Sequence, residues 1–315
     1  MRDSFGREVN YLRISVTDLC NLRCVYCMPK NGVEKFSHSQ IITPERIKEV
    51  VEAGVKLGIN KIRLTGGEPL VRKGFIDIVR LIKSVKGVKE ICVTTNGITL
   101  KEHAKVLYEA GVDRLNISLD TLDETKYQRI TRGGQLNDVV EGIKEAKKVG
   151  FKNIKVNCVL IGSFNDDEIV KFAAFSKDFG VIVRFIELMP IGESEHFDSK
   201  SFISNNLILS KLPDLIPEHN DGVTNYYHSK DNKIKIGLIS PLTNKFCDSC
   251  SRIRLTSDGK IKPCLHSTSE FNLKDLNGDE LVNKLKEAIL AKPKEHRLEV
   301  TKRSDSKRGM SKIGG

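Results

Sequence analysis

Three cysteines near the N-terminus have the spacing to hold an iron–sulfur cluster. Cys20, Cys24 and Cys27 form a C-x-x-x-C-x-x-C pattern directly after an apolar, strand-like run at residues 11–16. The usual cubane cluster takes four cysteine thiolates, so three would leave one iron open to bind and reduce a substrate. A structural zinc site fits this loop poorly, because no paired knuckle with a fourth protein ligand lies near it.

A second cysteine triad lies in the C-terminal third of the chain. Cys247 and Cys250 are separated by two residues, and Cys264 follows on a predicted hairpin. Three ligands again suit an iron–sulfur cluster. Zinc remains an alternative at this point, because His266 lies two residues beyond Cys264 and could complete a three-cysteine, one-histidine site.

Arginines next to the second triad indicate an anion site. Arg252 and Arg254 fall on one face of a strand-like segment, because side chains alternate along a strand. A single arginine of this kind is usually a surface ion pair, but guanidinium pairs suit phosphate oxygens. Arg13 and Arg63 would face the same cavity if their strands line one barrel, with Lys155 as a fifth cation. Together they predict a polyphosphate substrate.

Composition indicates a globular protein of one large domain, or one domain with an appendage. The chain has 315 residues, 39% hydrophobic content and a net charge of +11. A polar start and the lack of a membrane-length apolar run predict a cytoplasmic protein that does not bind a membrane. Six cysteines with metal spacing argue against disulfides, and Cys92 and Cys158 sit in apolar runs typical of a core. Residues 292–315 hold eight Lys or Arg against three Asp or Glu, which favours a solvated or disordered end.

The region before residue 190 alternates strand-like and helix-like segments. The predicted strands are 11–16, 61–65, 90–95, 114–119, 153–160 and 183–188, and the predicted helices include 44–57, 104–110, 139–149 and 167–179. Six such units predict an open, partial six-stranded β/α barrel, short of the about 250 residues of a closed one. We expect a barrel over 1–190, a smaller α+β extension carrying the second cluster over 191–291, and a basic tail over 292–315.

Predicted strand ends carry the motifs, as is typical of β/α barrels. The segment Thr65-Gly66-Gly67-Glu68-Pro69 follows the second strand. Its glycines would let the backbone approach a ligand closely. This segment, the first cysteine triad and Tyr26 before the last cysteine resemble the radical S-adenosylmethionine superfamily. The resemblance implies a catalytic [4Fe–4S] cluster on Cys20, Cys24 and Cys27, and a cofactor pocket lined by Tyr26, Gly67, Ser118 and Met189. Met189 could instead fill the core at its strand end.

Longer motifs resemble one family within that superfamily. Residues 12–18 (LRISVTD), 62–70 (IRLTGGEPL), 185–190 (FIELMP) and the pattern C-x-x-C-x-R-x-R before Cys264 are similar to the GTP 3',8-cyclases of molybdenum cofactor biosynthesis. The resemblance implies a lyase that uses a radical from S-adenosylmethionine to remove the 3' hydrogen of GTP. The product is (8S)-3',8-cyclo-7,8-dihydroguanosine 5'-triphosphate, in the first step of that pathway.

The resemblance also assigns site residues and partners. The second [4Fe–4S] cluster, on Cys247, Cys250 and Cys264, would hold guanine, and the terminal Gly314-Gly315 would reach the active site. It further implies a homodimer, an external electron donor and a downstream cyclic pyranopterin monophosphate synthase. The residues expected to contact GTP are Arg13, Arg63, Thr94, Lys155, Arg252 and Arg254.

Two other functions fit parts of the sequence. A radical enzyme that modifies a peptide would also carry auxiliary clusters, although such enzymes usually have more C-terminal cysteines. A zinc-stabilised nucleic-acid-binding protein would explain the positive charge. The basic residues do not form a recognition helix, so we expect no nucleic-acid partner.

Overall fold

A computed structural model describes residues 1–298 and 303–314. One twelve-stranded sheet runs through the described residues in the order β12-β11-β10-β1-β2-β3-β4-β5-β6-β9-β8-β7. The strands are β1 Tyr11–Ser15, β2 Lys61–Thr65, β3 Glu90–Thr95, β4 Arg114–Ser118, β5 Ile154–Leu160, β6 Ile182–Glu187, β7 Ile216–Asn220, β8 Asn225–His228, β9 Lys235–Ile239, β10 Arg252–Leu255, β11 Lys260–Lys262 and β12 Phe271–Asn272.

Helices follow most of the first six strands. They are α1 Pro44–Lys56, α2 Phe75–Lys83, α3 Leu100–Glu109, α4 Glu124–Thr131, α5 Leu136–Lys148, α6 Ile169–Phe179, α7 Asn206–Lys211, α8 Gly278–Leu290 and α9 Met310–Ile313. The predicted open β/α barrel is confirmed, and β2 and β3 have the predicted bounds. The sequence analysis did not identify α2 or α4.

Side-chain alternation divides each barrel strand into two faces. On β1, Leu12 and Ile14 are fully buried and belong to the hydrophobic core under the helices. Arg13, between them, faces the barrel interior. The same alternation on the other strands gives an apolar layer outside the sheet and a polar layer inside it. This division places the charged side chains together.

The segment after β6 continues the barrel sheet rather than packing as a separate layer. β9 pairs in parallel with β6, and β10 pairs in parallel with β1. Eight neighbouring strands, from β10 through β9, are therefore parallel. The expected α+β extension thus closes off both edges of the six-stranded core and contributes side chains to the same interior. β8 and β9 form an antiparallel hairpin within this segment.

The tail prediction is wrong for the described residues 303–314. Arg308 is paired with Asp258 and Glu270, and Ile313 is fully buried. The carbonyl of Gly314 accepts a hydrogen bond from Arg254 Nη1 at 2.9 Å. Charge composition suggested a solvated end, but acidic residues elsewhere in the fold pair with Arg308, and the segment buries its own Ile313. Gly315 lies outside the described residues.

Within those residues, we find no helix with the length and apolar character required to span a bilayer.

Candidate functional site

The first cysteine triad lies on a loop at the carboxyl end of β1. The loop is fixed to α4, because Val25 N donates to the Ile130 carbonyl at 2.9 Å and Arg23 N donates to that of Thr131 at 3.0 Å. A local turn brings Cys27 N to the Cys24 carbonyl at 3.0 Å. All three thiols are free and only partly buried. The protein therefore presents three thiols on one anchored loop.

The surroundings of these thiols are electrostatically negative. Burial raises the pKa of Cys20, Cys24 and Cys27, the last to about 12, and the other thiols of the triad and nearby carboxylates raise the pKa of Cys24 and Cys27 further. Asp120 contributes to the shift at Cys24 and Cys27. Thiolates in such surroundings need a bound cation, since metal coordination deprotonates a thiol. The three thiols therefore fit an iron–sulfur cluster, in which each cysteine would bind a different iron atom.

The glycine pair after β2 packs against the start of the cysteine loop. Gly67 N donates to the Thr17 carbonyl at 2.8 Å, and a Cβ on Gly67 would overlap the backbone of Asp18 and Leu19. Close backbone approach therefore requires glycine here. The adjacent carboxylate of Glu68 is buried and joins the loops after β2 and β3. It accepts from Thr95 Oγ1 at 2.7 Å, Asn96 N at 2.7 Å and Leu70 N at 3.1 Å.

Tyr26 is held in place by Asp120, which the list of expected site residues did not include. The Tyr26 hydroxyl donates to Asp120 Oδ2 at 2.7 Å, and Val159 N donates to Asp120 Oδ1 at 2.9 Å. Burial raises the pKa of Asp120 to about 6. The run Ser118-Leu119-Asp120 at the end of a strand was the signal that could have identified it. Ser118 and Met189 also lie at carboxyl strand ends and are partly buried.

The second triad lies at the opposite end of the barrel. Cys250 precedes the amino end of β10, and Tyr11 N, at the amino end of β1, donates to the Ser251 carbonyl at 3.3 Å. Cys264 follows β11, which runs antiparallel to β10 and so returns to the same end. The barrel interior therefore lies between the two triads.

Distant parts of the chain hold the second triad. Lys292 Nζ donates to Cys250 Sγ at 3.4 Å and to the carbonyls of Arg252 at 2.9 Å and Pro263 at 3.1 Å. Arg7 Nη1 donates to the Cys247 carbonyl at 2.8 Å. Burial opposes ionisation of Cys250, yet Lys292 and Arg252 lower its pKa overall. No local sequence signal pointed to Arg7 or Lys292, because each lies far along the chain from its partner.

The zinc alternative at the second triad gains no support. No three His, Cys, Asp or Glu side chains within residues 1–298 and 303–314 are grouped to hold a single ion. His266 Nδ1 instead lies 3.0 Å from Ser304 Oγ. Burial, His296 and nearby cations lower the pKa of His266 to about 3. A cluster binds each cysteine through a different iron, so its cysteines need not meet at one point.

Guanidinium groups line the interior between the triads. Arg13 is in register with Arg63 on β2 and with Arg254 on β10. Its Nε is buried and has no hydrogen-bond partner among the described residues. Burial and the like charges of Arg254, Arg63 and Arg252 lower the pKa of Arg13. A partly buried guanidinium whose buried Nε lacks a partner, surrounded by other cations, indicates a binding site for an anion.

The cationic lining continues across the barrel to β5 and β6. Thr94 Oγ1 accepts from Arg63 Nη1 at 3.3 Å. Arg184 on β6 was missed by the sequence analysis. In the amide orientation that satisfies its neighbours, the Asn116 side-chain oxygen accepts from Arg63 and, at 3.0 Å, from Arg184 Nη2. Lys155 on β5 is buried and donates to the Tyr226 hydroxyl. The expected phosphate ligands thus share one interior.

Family models match most of the chain. The Radical SAM superfamily model matches residues 14–176, which contain the first triad and the barrel strands through β5. The Molybdenum Cofactor Synthesis C model matches residues 181–298, which contain the second triad.

Named relatives and solved structures agree with these models. The GTP 3',8-cyclase of Alkaliphilus oremlandii is 47% identical, and the match covers 100% of both chains. The GTP 3',8-cyclase of Peptoclostridium acidaminophilum is 50% identical over 99% of this chain and 98% of its own. The structure of Streptococcus suis SuiB bound to S-adenosylmethionine has a TM-score of 0.64 at 15% identity, and covers 88% of this chain and 68% of that one. The structure of anSMEcpe with bound AdoMet has a TM-score of 0.61 at 20% identity, and covers 88% of this chain and 81% of that one. Both structures share the fold of this chain. The chain belongs to the radical S-adenosylmethionine superfamily and, within it, to the GTP 3',8-cyclase family.

Proposed function

We propose that this protein cyclises GTP to the 3',8-cyclo nucleotide, the first step of molybdenum cofactor biosynthesis. One observation carries the proposal beyond family membership. A barrel interior lined by arginines lies between two three-cysteine sites at opposite barrel ends. Such an interior suits a polyphosphate whose other end must reach a reactive centre.

The first triad would hold a [4Fe–4S] cluster through Cys20, Cys24 and Cys27. When bound, this cluster and S-adenosylmethionine supply the radical chemistry. The protein's part is to hold the cofactor against the loops after β2 and β4, where Gly67, Ser118 and Tyr26 lie. The negative surroundings favour a cationic sulfonium, and Asp120 keeps Tyr26 in position.

The second triad would hold another [4Fe–4S] cluster, through Cys247, Cys250 and Cys264, and bind the guanine end of GTP. Arg252 and Arg254 follow it directly on β10, so they are suited to bind the near part of the nucleotide. The remaining expected ligands lie further around the same interior, where they would bind the phosphates. They are Arg13, Arg63, Thr94 and Lys155, to which we add Arg184.

The C-terminal segment would complete the active site. A φ of +81° at Gly314 and close contacts with Ser15 and Thr65 leave no room for a side chain. The Ser311 backbone hydrogen-bonds the Cys27 thiol, and Gly314 bonds Arg254. These contacts place the segment between the first triad and the expected GTP ligands. An active role for Gly314-Gly315 is part of the proposal.

Further partners follow from this function. One electron per radical event must come from an external donor, because the proposed clusters need reduction from outside. We also propose a cytoplasmic homodimer whose product passes to cyclic pyranopterin monophosphate synthase. Family membership supports these assignments.

The decisive experiment measures 5'-deoxyadenosine from anaerobically reconstituted protein with S-adenosylmethionine and dithionite, with and without GTP. We expect strong stimulation by GTP together with a new cyclised nucleotide. Cleavage that ignores GTP would refute the substrate and leave the radical chemistry. An absence of cleavage by protein with full iron content would refute the reaction class.

A variant pair tests the anion site separately. Arg252→Ala should weaken GTP binding while 5'-deoxyadenosine is still formed, because Arg252 lies at the second triad and away from the first. Arg80→Ala is the matched control, since Arg80 forms an exposed ion pair with Asp77 on α2. Equal GTP affinity in the two variants would count against the arginine site.

A further inference from the structure

The floor of the barrel, at the amino ends of its strands, carries a cavity outside the cysteine sites. The cavity has a volume of about 360 Å³. Its lining includes Lys155, His219 and Tyr226. Lys155 is shared between this cavity and the cationic interior, because its charge also interacts with Arg184 and Arg63. Its ammonium could therefore point towards a ligand in the barrel or away from it.

Tyr226 on β8 determines where that ammonium lies. Lys155 Nζ donates to the Tyr226 hydroxyl and lies 4.7 Å from the centre of its ring. The hydroxyl in turn donates to Asp221 Oδ2 at 3.1 Å. Asp221 is itself fixed by the backbone amides of Thr224 at 2.8 Å and Val223 at 3.1 Å. A chain of hydrogen bonds thus runs from an ordered turn to the lysine.

Two neighbouring residues keep the tyrosine ring in place. His219 stacks on the ring with centroids 4.6 Å apart and an interplanar angle of 21°. Gly237 lies opposite Tyr226 in the sheet, and a Cβ there would be 2.8 Å from Arg184 Cγ and 3.3 Å from Tyr226 Cε1. The missing side chain makes room for both groups. Tyr226 is therefore locked by its hydroxyl, its ring face and its edge.

We infer that Tyr226 is a positioning residue that fixes the Lys155 ammonium towards the phosphate end of the nucleotide, with Asp221 orienting the tyrosine hydroxyl. The inference rests on the proposed function, since it takes GTP as the ligand. Tyr226 acts through Lys155: its hydroxyl holds the flexible lysine at the boundary between the floor cavity, which both side chains line, and the arginine-lined interior. In the proposed function the base binds at the second triad beside β10, and Lys155 lies on β5, five strands further along the sheet, so it suits the phosphates and not the base.

The test compares Tyr226→Phe with Tyr227→Phe by equilibrium binding to the reconstituted, cluster-loaded protein. Both variants lose one hydroxyl, but side-chain alternation puts Tyr227 on the opposite face of β8. We expect Tyr226→Phe to raise the Kd for GTP about fivefold to thirtyfold, less than the full loss of a hydrogen bond to a charged group, because Lys155 itself remains. The Kd for guanosine should stay unchanged, and KM for GTP should rise more than kcat falls. Tyr227→Phe should bind both ligands as the native chain does.

Asp221→Asn gives a second, milder variant. The amide oxygen can still accept from the tyrosine hydroxyl, so we expect a smaller rise in the GTP Kd, about twofold to fivefold. Tyr226→Phe with native GTP affinity would overturn the inference. So would an equal loss of GTP and guanosine binding, which would indicate general disruption of the site. A native protein that binds no GTP would overturn the proposed function and this inference together.

Discussion

The two cysteine triads contain the same number of ligands but are built differently. The first occupies eight consecutive residues, and a local turn and two hydrogen bonds to the end of α4 hold its loop. The second is assembled from segments separated in sequence, with Lys292 joining Cys250 to the residue before Cys264. Short-range geometry fixes the first triad, whereas tertiary packing fixes the second. The second should therefore be more sensitive to changes elsewhere in the fold.

Their electrostatic surroundings also differ. At the first triad, Cys27 and Asp120 raise the pKa of Cys24 beyond the effect of burial. At the second, Lys292 and Arg252 lower the pKa of Cys250 despite its burial, whereas burial raises the pKa of Cys247. Negative surroundings favour a cationic ligand and positive surroundings an anionic one. This difference agrees with S-adenosylmethionine at the first site and GTP at the second.

The largest predicted effect separates the triads by function. Cys24→Ala should reduce 5'-deoxyadenosine formation by more than about a thousandfold, because two thiolates cannot retain the reactive cluster. Cys250→Ala should abolish the cyclised nucleotide but leave measurable 5'-deoxyadenosine. Anaerobic turnover with chromatographic product analysis measures both.

Iron content and a third cysteine supply the control for that prediction. Each triad variant should lose about half of the bound iron, because each would lose one of two clusters. Cys158→Ala should keep all of it, since Cys158 is a fully buried core residue. Equal loss of 5'-deoxyadenosine in the two triad variants would contradict the proposed division between the sites.

The next largest effect concerns the interior between the triads. Arg13→Met should weaken GTP binding about tenfold to a hundredfold, the range for losing charged hydrogen bonds. The same variant should unfold at a higher temperature without GTP, because it removes a partly buried cation that Arg254 and Arg63 repel. Calorimetry and thermal denaturation measure the two effects. A variant that is less stable as well as weaker in binding would indicate that Arg13 has a structural role.

A smaller effect should appear as a dependence of GTP affinity on pH. Burial and the charges of Arg184 and Arg114 lower the pKa of Lys155 to about 7. Binding a polyanion favours the charged ammonium and raises that pKa, so affinity should fall as pH rises above 7, at most about tenfold per unit. The other groups that act on Lys155 are Arg63, Asp221 and Tyr226.

Lys155→Arg is the control for this pH dependence. Arginine keeps its charge throughout the range, so the dependence should flatten between pH 7 and 9. Affinities measured at three pH values in this range are sufficient. Parallel slopes in the native chain and Lys155→Arg would assign the titration to another group.

The contrast between the triads also explains what the sequence could predict. The barrel strands, the first triad and the alternating arginines were readable, because hydrophobic period and short spacing determine them. Arg184, Asp120 and Tyr226 were missed as site residues, since their roles depend on which strands become neighbours. Arg7 and Lys292 act on the second triad across most of the chain length. Contacts between residues so far apart in sequence cannot be predicted from local patterns.

The expectation for the C-terminal tail also failed because tertiary contacts cannot be read from the local sequence. Its charge predicted a solvated end, yet Arg308 donates hydrogen bonds to Glu270 and Asp258, on either side of β11. The composition of a segment gives its charges but does not give the residues that it contacts in the folded protein. The tail also contacts both functional regions, through Ser311 at Cys27 and Gly314 at Arg254. It is therefore the physical link between the sites being compared.

The smallest predicted effect tests that link. Arg308 Nη1 and Nη2 donate to Asp258 at 2.8 and 2.9 Å, and Nε and Nη2 donate to Glu270 at 2.6 and 2.7 Å. Arg308→Gln should lower the free energy of unfolding by only about 1 kcal/mol, because the network is partly exposed. It should also speed proteolysis of the last residues several-fold and reduce GTP-stimulated turnover about twofold to fivefold.

Arg80→Gln, at an exposed ion pair on α2, is the matched control and should leave both properties unchanged. If Arg308→Gln changes proteolysis but not turnover, the arginine anchors a segment that the reaction does not need. If turnover falls while 5'-deoxyadenosine per product rises, the tail couples the sites. That ratio is the sharper measurement, because a general loss of folded protein lowers both quantities in proportion.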